Sequence, residues 1–562
     1  MEDLNVVIAG AAGQGVQTIG DILAQTAAAQ GYAVFNWKEY ESRIRGGQNS
    51  YSIRISETPR NAPLMEADVL LALNEGAIKK YGPLLKKGGT LLAEKEVKDR
   101  RNIAIPFTEI AEEVVGKKIY ANTVALGALA AVLGIGQKRL NNILTKIFAH
   151  KGEDIITSNH LAAEKGFRKA VQDCEDMCPW KLPKRPGKYF LLTVNEAIPL
   201  ASVYAGCRFI AAYPMSPSTG VITYLATHQE EFGVFAEQAE DEISAVNMAI
   251  GASYAGVRAM TATSGGGFAL MVEGVSLAGM TETPLVIVLA QRPGPATGLP
   301  TRTSQGDLLF AVNAGHGEFP KMVLAPSDPR DAFIKTVRAF NLADKYQMPV
   351  ILMTDQFLSD SHFSIEEFDL GRIEPVFYMA DPSHIRDYKR YQLTEDGISP
   401  RLYPGCSNHL VGVDSDEHDE RGHITEDLAG MAVAMSQKRL AKMNRLKGEI
   451  SMPEEVSIDE SDIIFVGWGS SRQAILEAIR LLNKDGVNAG MIHFTEVWPL
   501  PEYAFPGEKN YWTIENNCTG QLARLLRSEY RVDFTGALSR YDGLPLTGDY
   551  IRRQLNARNG SL

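Results

Sequence analysis

Leu4-Asn-Val-Val-Ile-Ala9 followed by Gly10-Ala-Ala-Gly13-Gln14-Gly15 decides how this chain folds. An apolar run without strict alternation reads as a strand buried on both faces. The glycines after it allow a tight turn, and a helix is expected from about Thr18 to Gln30. Gly31-Tyr-Ala-Val-Phe35 and Ala67-Asp-Val-Leu-Leu-Ala-Leu73 read as further strands. Strands alternating with helices predict an α/β fold on a largely parallel sheet.

The pattern recurs along the chain. Strands at Arg208–Tyr213, Ala259–Thr263, Pro284–Ala290 and Pro349–Met353 outline a second α/β unit. A strand at Asp462–Trp468 and a helix at Ser471–Lys484 open a third. Pro179, Pro183 and Pro186 mark a linker between the first two. The expected division is therefore 1–172, a linker 173–189, then 190–365, a connecting segment 366–455 and a last unit 456–562. The connecting segment is polar at first and ends in a charged helix near Leu428–Lys447.

A net charge of −11 argues against a nucleic-acid partner, which a basic face would attract. No apolar run approaches the ~20 residues of a membrane helix. The N-terminus has no basic region before its apolar strand, so a cytoplasmic protein without a signal peptide is expected. The five cysteines, Cys174, Cys178, Cys207, Cys406 and Cys518, are odd in number and mostly far apart, so free thiols are expected. The acidic stretch Gly412–Asp427, with His418 and His423, lacks EF-hand spacing and reads as a solvated loop. No metal site is expected on this chain.

Several loops carry chemistry. Gly13-Gln14-Gly15 at a strand-to-helix junction suits either a phosphate or plain turn packing. Glu41-Ser-Arg43-Ile-Arg45-Gly46-Gly47 sets two guanidinium groups beside bare backbone, an anion site or a solvated loop. Tyr213-Pro214-Met215-Ser216-Pro217-Ser218-Thr219 is stiffened by prolines. One hydroxyl, Ser218 or Thr219, is expected to cap a helix while Ser216 points into a cleft. A helix from about Glu240 to Gly256 carries small residues at 245, 249, 252 and 256, a stripe for close packing that Glu242 begins. Thr263-Ser264-Gly265-Gly266-Gly267 lets backbone approach a flat or phosphorylated ligand. Arg302, in a proline-stiffened loop, suits a carboxylate clamp or a surface ion pair.

Taken together, these motifs resemble the 2-oxoacid:ferredoxin oxidoreductases. Gly10–Val16 and Glu41–Gly47 are similar to elements of that family's γ domain. Asn195-Glu196-Ala197, the Tyr213–Thr219 loop, the Glu242 helix, Thr263–Gly267, Gly298-Leu-Pro-Thr-Arg302-Thr303 and Glu515-Asn-Asn-Cys-Thr-Gly-Gln521 resemble its α subunit. The resemblance implies a γ–α fusion: a CoA-associated γ domain, a pyrimidine-binding thiamine diphosphate domain and a domain like the C-terminal one of transketolase. It implies that Glu242, nine residues before Gly251, contacts the aminopyrimidine and promotes attack on the 2-oxo carbon. Tyr213, Pro214, Ser264 and Gly265 are then expected near the cofactor, and Ser216 and Arg302 at the substrate. Ser216 stands where many relatives have threonine. For CoA the resemblance points to Gly13, Gln14, Gly15, Arg43, Arg45, Gly46 and Gly47.

The chain has no Gly-Asp-Gly with a following Asn-Asn, and no cysteine set for a cluster. The diphosphate, Mg2+ and a 4Fe–4S cluster are therefore expected on a separate β subunit, in an (αβ)2 assembly that reduces ferredoxin. The Tyr-Pro-Met-Ser-Pro-Ser-Thr variant and the fusion favour 2-oxoglutarate, oxidised reversibly to succinyl-CoA and CO2, over pyruvate or another 2-oxoacid. A transketolase-like half-enzyme without redox chemistry leaves the γ domain unexplained. A CoA-binding scaffold without catalysis leaves Glu242 and Arg302 unexplained.

Overall fold

A computed structural model describes residues 3–41, 47–98, 102–174 and 178–559. It resolves into two compact units, 1–192 with 361–367, and 193–360 with 368–562.

In the first unit the strand Asp3–Ala11 is buried along its length and leads through Gly13 and Gly15, both at positive φ, into the helix Val16–Ala29. The sheet is mixed rather than largely parallel. Asp3–Ala11 runs parallel to Ala67–Ala72 on one side and antiparallel to Gln48–Ser56 on the other. Gln48–Ser56 is also antiparallel to Ala33–Glu39, so a returning hairpin strand separates the two strands that flank the first helix. Phe363–Ile365 joins the same sheet between Ala33–Glu39 and Phe190–Leu192, and Ser364 Oγ donates to Val34 O at 2.8 Å. These pairings are why the unit reaches residue 192 and takes in 361–367, whereas the sequence reading ends it at 172. Cys174 and Cys178 form a disulfide with Cα atoms 5.5 Å apart, which corrects the free-thiol expectation for this pair. The helix Glu153–Asp173 ends just before Cys174, and Cys178 lies within bridging distance of it. Cys207, Cys406 and Cys518 are free.

The second unit holds two further sheets. In the larger, Phe235–Gln238, Phe209–Ala212, Ala259–Thr263, Leu285–Gln291, Pro349–Asp355 and Met322–Leu324 lie side by side and parallel. Glu496–Trp498, from the C-terminal part, closes its edge antiparallel to Met322–Leu324. The smaller sheet is parallel through Ala489–Phe494, Ile463–Trp468, Asn510–Glu515 and Gly536–Ser539, with Glu454–Val456 antiparallel at one edge. One apolar core crosses from the larger sheet to the smaller, from Leu289 and Val323 to Ile464, Trp468 and Phe494.

The connecting segment is tied down by buried charge. Glu282 is fully buried, with Lys438 Nζ 2.6 Å from Oε1 and Lys442 Nζ on Oε2. Arg390 Nη2 donates to Glu282 O at 2.6 Å. Burial alone would raise the Glu282 carboxyl, but Lys442, Lys438 and Arg390 together hold it far below the usual carboxylate range. Burial pushes Lys442 down to about 8. Removing the one carboxylate strands the cations, so Glu282→Gln is expected to destabilise the unit by about 3–5 kcal/mol. Denaturant unfolding checks this, and a loss under 1 kcal/mol contradicts the ion-pair account. The Gly412–Asp427 stretch also departs from a purely solvated loop. His418 is fully buried against the Tyr391 ring, with centroids 4.0 Å apart, and Arg439 pairs with Glu417.

Candidate functional site

The carboxyl ends of the parallel strands in the second unit carry four of the segments singled out above, the usual place for a site in an open α/β sheet. Phe209–Ala212 feeds the Tyr213–Thr219 loop, Phe235–Gln238 feeds Glu242, Ala259–Thr263 feeds the triple glycine, and Leu285–Gln291 feeds the Arg302 loop.

Glu242 opens the helix Glu242–Tyr254, whose N-cap is Asp241, its side chain accepting from Ser244 N at 2.7 Å. Helix capping is thus done by Asp241, and Glu242 is free to turn inward. It is only 3% exposed, and its Oε1 has no hydrogen-bond partner. A buried carboxylate oxygen without a donor is costly unless a ligand supplies one. The packing that buries Glu242 differs from the expected stripe. Ala245 and Ala249 are buried, but Ala252 is half-buried and Gly256 is exposed. Close approach comes instead from glycines of the neighbouring helix Gly265–Met280. A methyl group at Gly267 would collide with Thr263 Oγ1 and the Glu242 carboxylate, and one at Gly274 would lie 2.7 Å from Val246 Cγ1.

The hydroxyl loop joins this cluster from the adjacent strand. Thr263 Oγ1 lies 4.0 Å from Met215 Sδ, and Arg292 Nη1 donates to Ser216 O at 2.7 Å. Ser218 occupies the helix N-cap position, yet its Oγ donates to Met215 O at 2.7 Å and caps nothing. Ser216 is exposed, Pro214 half-buried, and Tyr213 is 40% exposed. Ser264 is fully buried with an unpartnered Oγ at the start of the Gly265–Met280 helix.

The Arg302 loop reaches the same helix turn. Asp307 Oδ2, also unpartnered, stands 2.6 Å from where a Gly265 side chain would begin. Burial pushes the Asp307 carboxyl up to about 6. Asp307 N is anchored on Gln291 Oε1 at 3.0 Å. Arg302 is half-buried, its aliphatic stem packed over Gly543. Three buried polar atoms without partners, on Glu242, Ser264 and Asp307, therefore surround one glycine-rich helix turn. Sequence reading missed Asp307 and Arg292. Each is a single charged residue in a loop, half-buried in the structure, and nothing in the string marks it out.

In the first unit, Gln14 Oε1 accepts from Ala11 N at 2.7 Å and from Asn74 Nδ2 at 2.5 Å, which shapes the glycine loop. The Val16–Ala29 helix begins after Gly15 with no side-chain cap, leaving its first amides open. Glu39 and Glu41 lie 3.1 and 3.7 Å from Lys80 Nζ, and Gly47 has φ +79°. Arg43, Arg45 and Gly46 lie outside the described residues. Among the described residues no group of three or more His, Cys, Asp or Glu is placed to hold a metal ion, and no helix is long and apolar enough to cross a membrane.

Comparison with known proteins agrees with this layout. Residues 5–169 match the family "Pyruvate ferredoxin/flavodoxin oxidoreductase", and 200–438 match "Pyruvate flavodoxin/ferredoxin oxidoreductase, thiamine diP-bdg". The 2-oxoacid:ferredoxin oxidoreductase subunit alpha of Saccharolobus solfataricus is 32% identical, over 98% of this chain and 97% of its own. A 2-oxoglutarate synthase subunit KorA of Methanothermobacter thermautotrophicus is 36% identical over 56% of this chain and 82% of its own. The solved structure of 2-oxoglutarate:ferredoxin oxidoreductase from Magnetococcus marinus, with 2-oxoglutarate, coenzyme A and succinyl-CoA bound, superposes with a TM-score of 0.91. It is 32% identical, and the match covers 99% of each chain. The order of the two matched families along one polypeptide, the full-length relatives and the site at the strand ends agree: this chain belongs to the 2-oxoacid:ferredoxin oxidoreductase α-subunit family, in its fused γ–α form.

Proposed function

We propose that this chain is the α subunit of a 2-oxoglutarate:ferredoxin oxidoreductase. With a separate β subunit it catalyses, reversibly, the CoA-dependent oxidative decarboxylation of 2-oxoglutarate to succinyl-CoA and CO2 while ferredoxin takes up the electrons. The buried, unpartnered Glu242 Oε1 carries the reading, because an aminopyrimidine ring nitrogen is the group that completes it.

Thiamine diphosphate fits the residues present. The Glu242 carboxylate lies against bare Gly267 with one oxygen still lacking a donor, and the Ser264 hydroxyl awaits a partner. When bound, the cofactor supplies the carbon nucleophile and electron sink for decarboxylation. Glu242 holds or releases the proton at the ring nitrogen. Tyr213, Pro214, Ser264 and Gly265 line the cofactor, Ser216 offers a hydroxyl to the substrate, and Arg302 binds the carboxylate beside the oxo group. The open amides after Gly15 and the Arg43–Gly47 segment suit the phosphates of CoA. The diphosphate, Mg2+ and a 4Fe–4S cluster belong to the β subunit, since this chain has neither a Gly-Asp-Gly element nor a cysteine set for them. An (αβ)2 assembly in the cytoplasm completes the reading.

The choice of 2-oxoglutarate over pyruvate draws support from the full-length match to the Magnetococcus enzyme and from relatives named for 2-oxoglutarate. Steady-state kinetics of the assembled enzyme on both acids test it. A kcat/KM for 2-oxoglutarate at least about tenfold above that for pyruvate is expected, a margin worth about 1.4 kcal/mol. A clear advantage for pyruvate overturns the substrate while leaving the chemistry in place.

A further inference from the structure

The element Glu515–Gln521 has no role in the reading above, yet it grips the loop that carries Arg302. Gln305 N donates to Asn516 O at 2.8 Å, and Gln305 Oε1 accepts from Asn516 N at 2.9 Å. Gln305 Nε2 donates to Trp468 O at 2.8 Å, and Asn517 Nδ2 to Gln305 O at 3.0 Å. Gln521 Nε2 donates to Gly306 O at 2.6 Å, and Gln521 Oε1 accepts from Leu309 N at 3.0 Å. The gripping residues are themselves fixed. The buried Glu515 carboxylate accepts from Asn517 Nδ2 and from Leu522 N and Ala523 N at the start of the next helix. Under Arg302, Thr303 N donates to Gly543 O at 3.1 Å. Gly543 has φ +81°, and a methyl group there would stand 3.0 Å from Arg302 Cβ and 3.2 Å from Cγ.

Docking of the C-terminal part does not call for this grip. The shared apolar core and the edge strand Glu496–Trp498 already join it to the larger sheet. The hydrogen bonds are concentrated instead on 303–309, the residues that set where Arg302 starts. We propose that Gln305, Gln521 and Gly543 are positioning residues for 2-oxoacid binding, fixing the main chain and stem from which the Arg302 guanidinium reaches the substrate carboxylate. The proposal rests on Arg302 being the carboxylate clamp.

The test uses the enzyme assembled with its β subunit. Gln521→Ala removes two bonds to the loop, and Gly543→Ala crowds the Arg302 stem at a left-handed φ. Each is expected to raise KM for 2-oxoglutarate about tenfold, the effect of one or two lost hydrogen bonds. Gly543→Ala is expected to lower the thermal midpoint as well, so the discriminating readout is the KM for CoA, which should stay near wild type in both variants and which a defect spread through the fold would also raise. Combined with Arg302→Lys, Gln521→Ala should cost much less than it does alone, because coupled residues are not additive. An unchanged 2-oxoglutarate KM in Gln521→Ala, or fully multiplicative effects in the double variant, overturns the positioning role. If Arg302→Lys itself leaves the 2-oxoglutarate KM unchanged, the clamp reading fails and the proposal falls with it. If Arg302→Lys raises that KM and Gln521→Ala does not, the proposal alone falls. Gln521→Glu keeps the acceptor for Leu309 N and loses the donor to Gly306 O, so it makes the same distinction should Gly543→Ala fail to assemble.

Discussion

Glu242→Gln should assemble normally with its β subunit and lose turnover by about 10²–10⁴-fold, the usual contribution of a positioned acid–base group. The substitution keeps the volume and removes only the carboxyl proton chemistry. Near-wild-type packing is expected because the residue's cramped neighbours, Gly267 and Thr263, meet an isosteric side chain. Glu242→Ala should be as inactive and should also weaken cofactor retention, since nothing then fills the buried oxygen's place. Turnover of 2-oxoglutarate by the assembled Glu242→Gln enzyme at near the wild-type rate would remove Glu242 from the mechanism.

Arg302→Lys is the second large effect. Every 2-oxoacid has a carboxylate next to its oxo group, and a planar guanidinium binds it through two parallel hydrogen bonds that an ammonium cannot reproduce. KM should therefore rise by about 10–100-fold, the equivalent of one strong charge-assisted bond, for 2-oxoglutarate and pyruvate alike. A change in preference between the two acids, with one KM left unaltered, would mean that Arg302 reads the distal end of the substrate instead.

How much of this was legible in the string depends on which force dominates locally. The two-face-buried strands Asp3–Ala11, Ala259–Thr263 and Leu285–Gln291 stand out because their side chains are apolar or small apart from Asp3, Asn5 and Gln291. Gln48–Ser56 did not stand out. Its Tyr51, Ile53 and Ile55 alternate with Ser50, Ser52, Arg54 and Ser56, the pattern of a strand with one wet face, yet the structure buries both faces. Asp3, 2.9 Å away, and Ala62 O help satisfy the buried Arg54, partners invisible before folding. Phe363–Ile365 is similar: three residues find their sheet through tertiary pairing alone. At the site, the spacing of Glu242 and the small residues after it pointed to a tightly packed helix. The tight packing is real, but the glycines responsible belong to the facing helix at 267 and 274. A one-dimensional stripe cannot tell which partner yields the space. Asp307 shows the same limit, because its raised carboxyl comes from burial that only the fold creates. The disulfide went unread because five cysteines and a short spacing argue composition, whereas pairing depends on where the Glu153–Asp173 helix ends.

The central claim is that this chain is one half of a thiamine diphosphate enzyme whose other half carries the diphosphate site and the cluster. Reconstitution tests it most directly. The purified chain and its β subunit are assayed, apart and mixed, for viologen reduction with 2-oxoglutarate, CoA and thiamine diphosphate. Neither alone should reduce viologen, the chain described here should lack iron–sulfur absorbance, and the mixture should be active only when CoA is present. A brown chain that reduces viologen by itself, or a mixture that turns over 2-oxoglutarate without reducing the acceptor, contradicts the account.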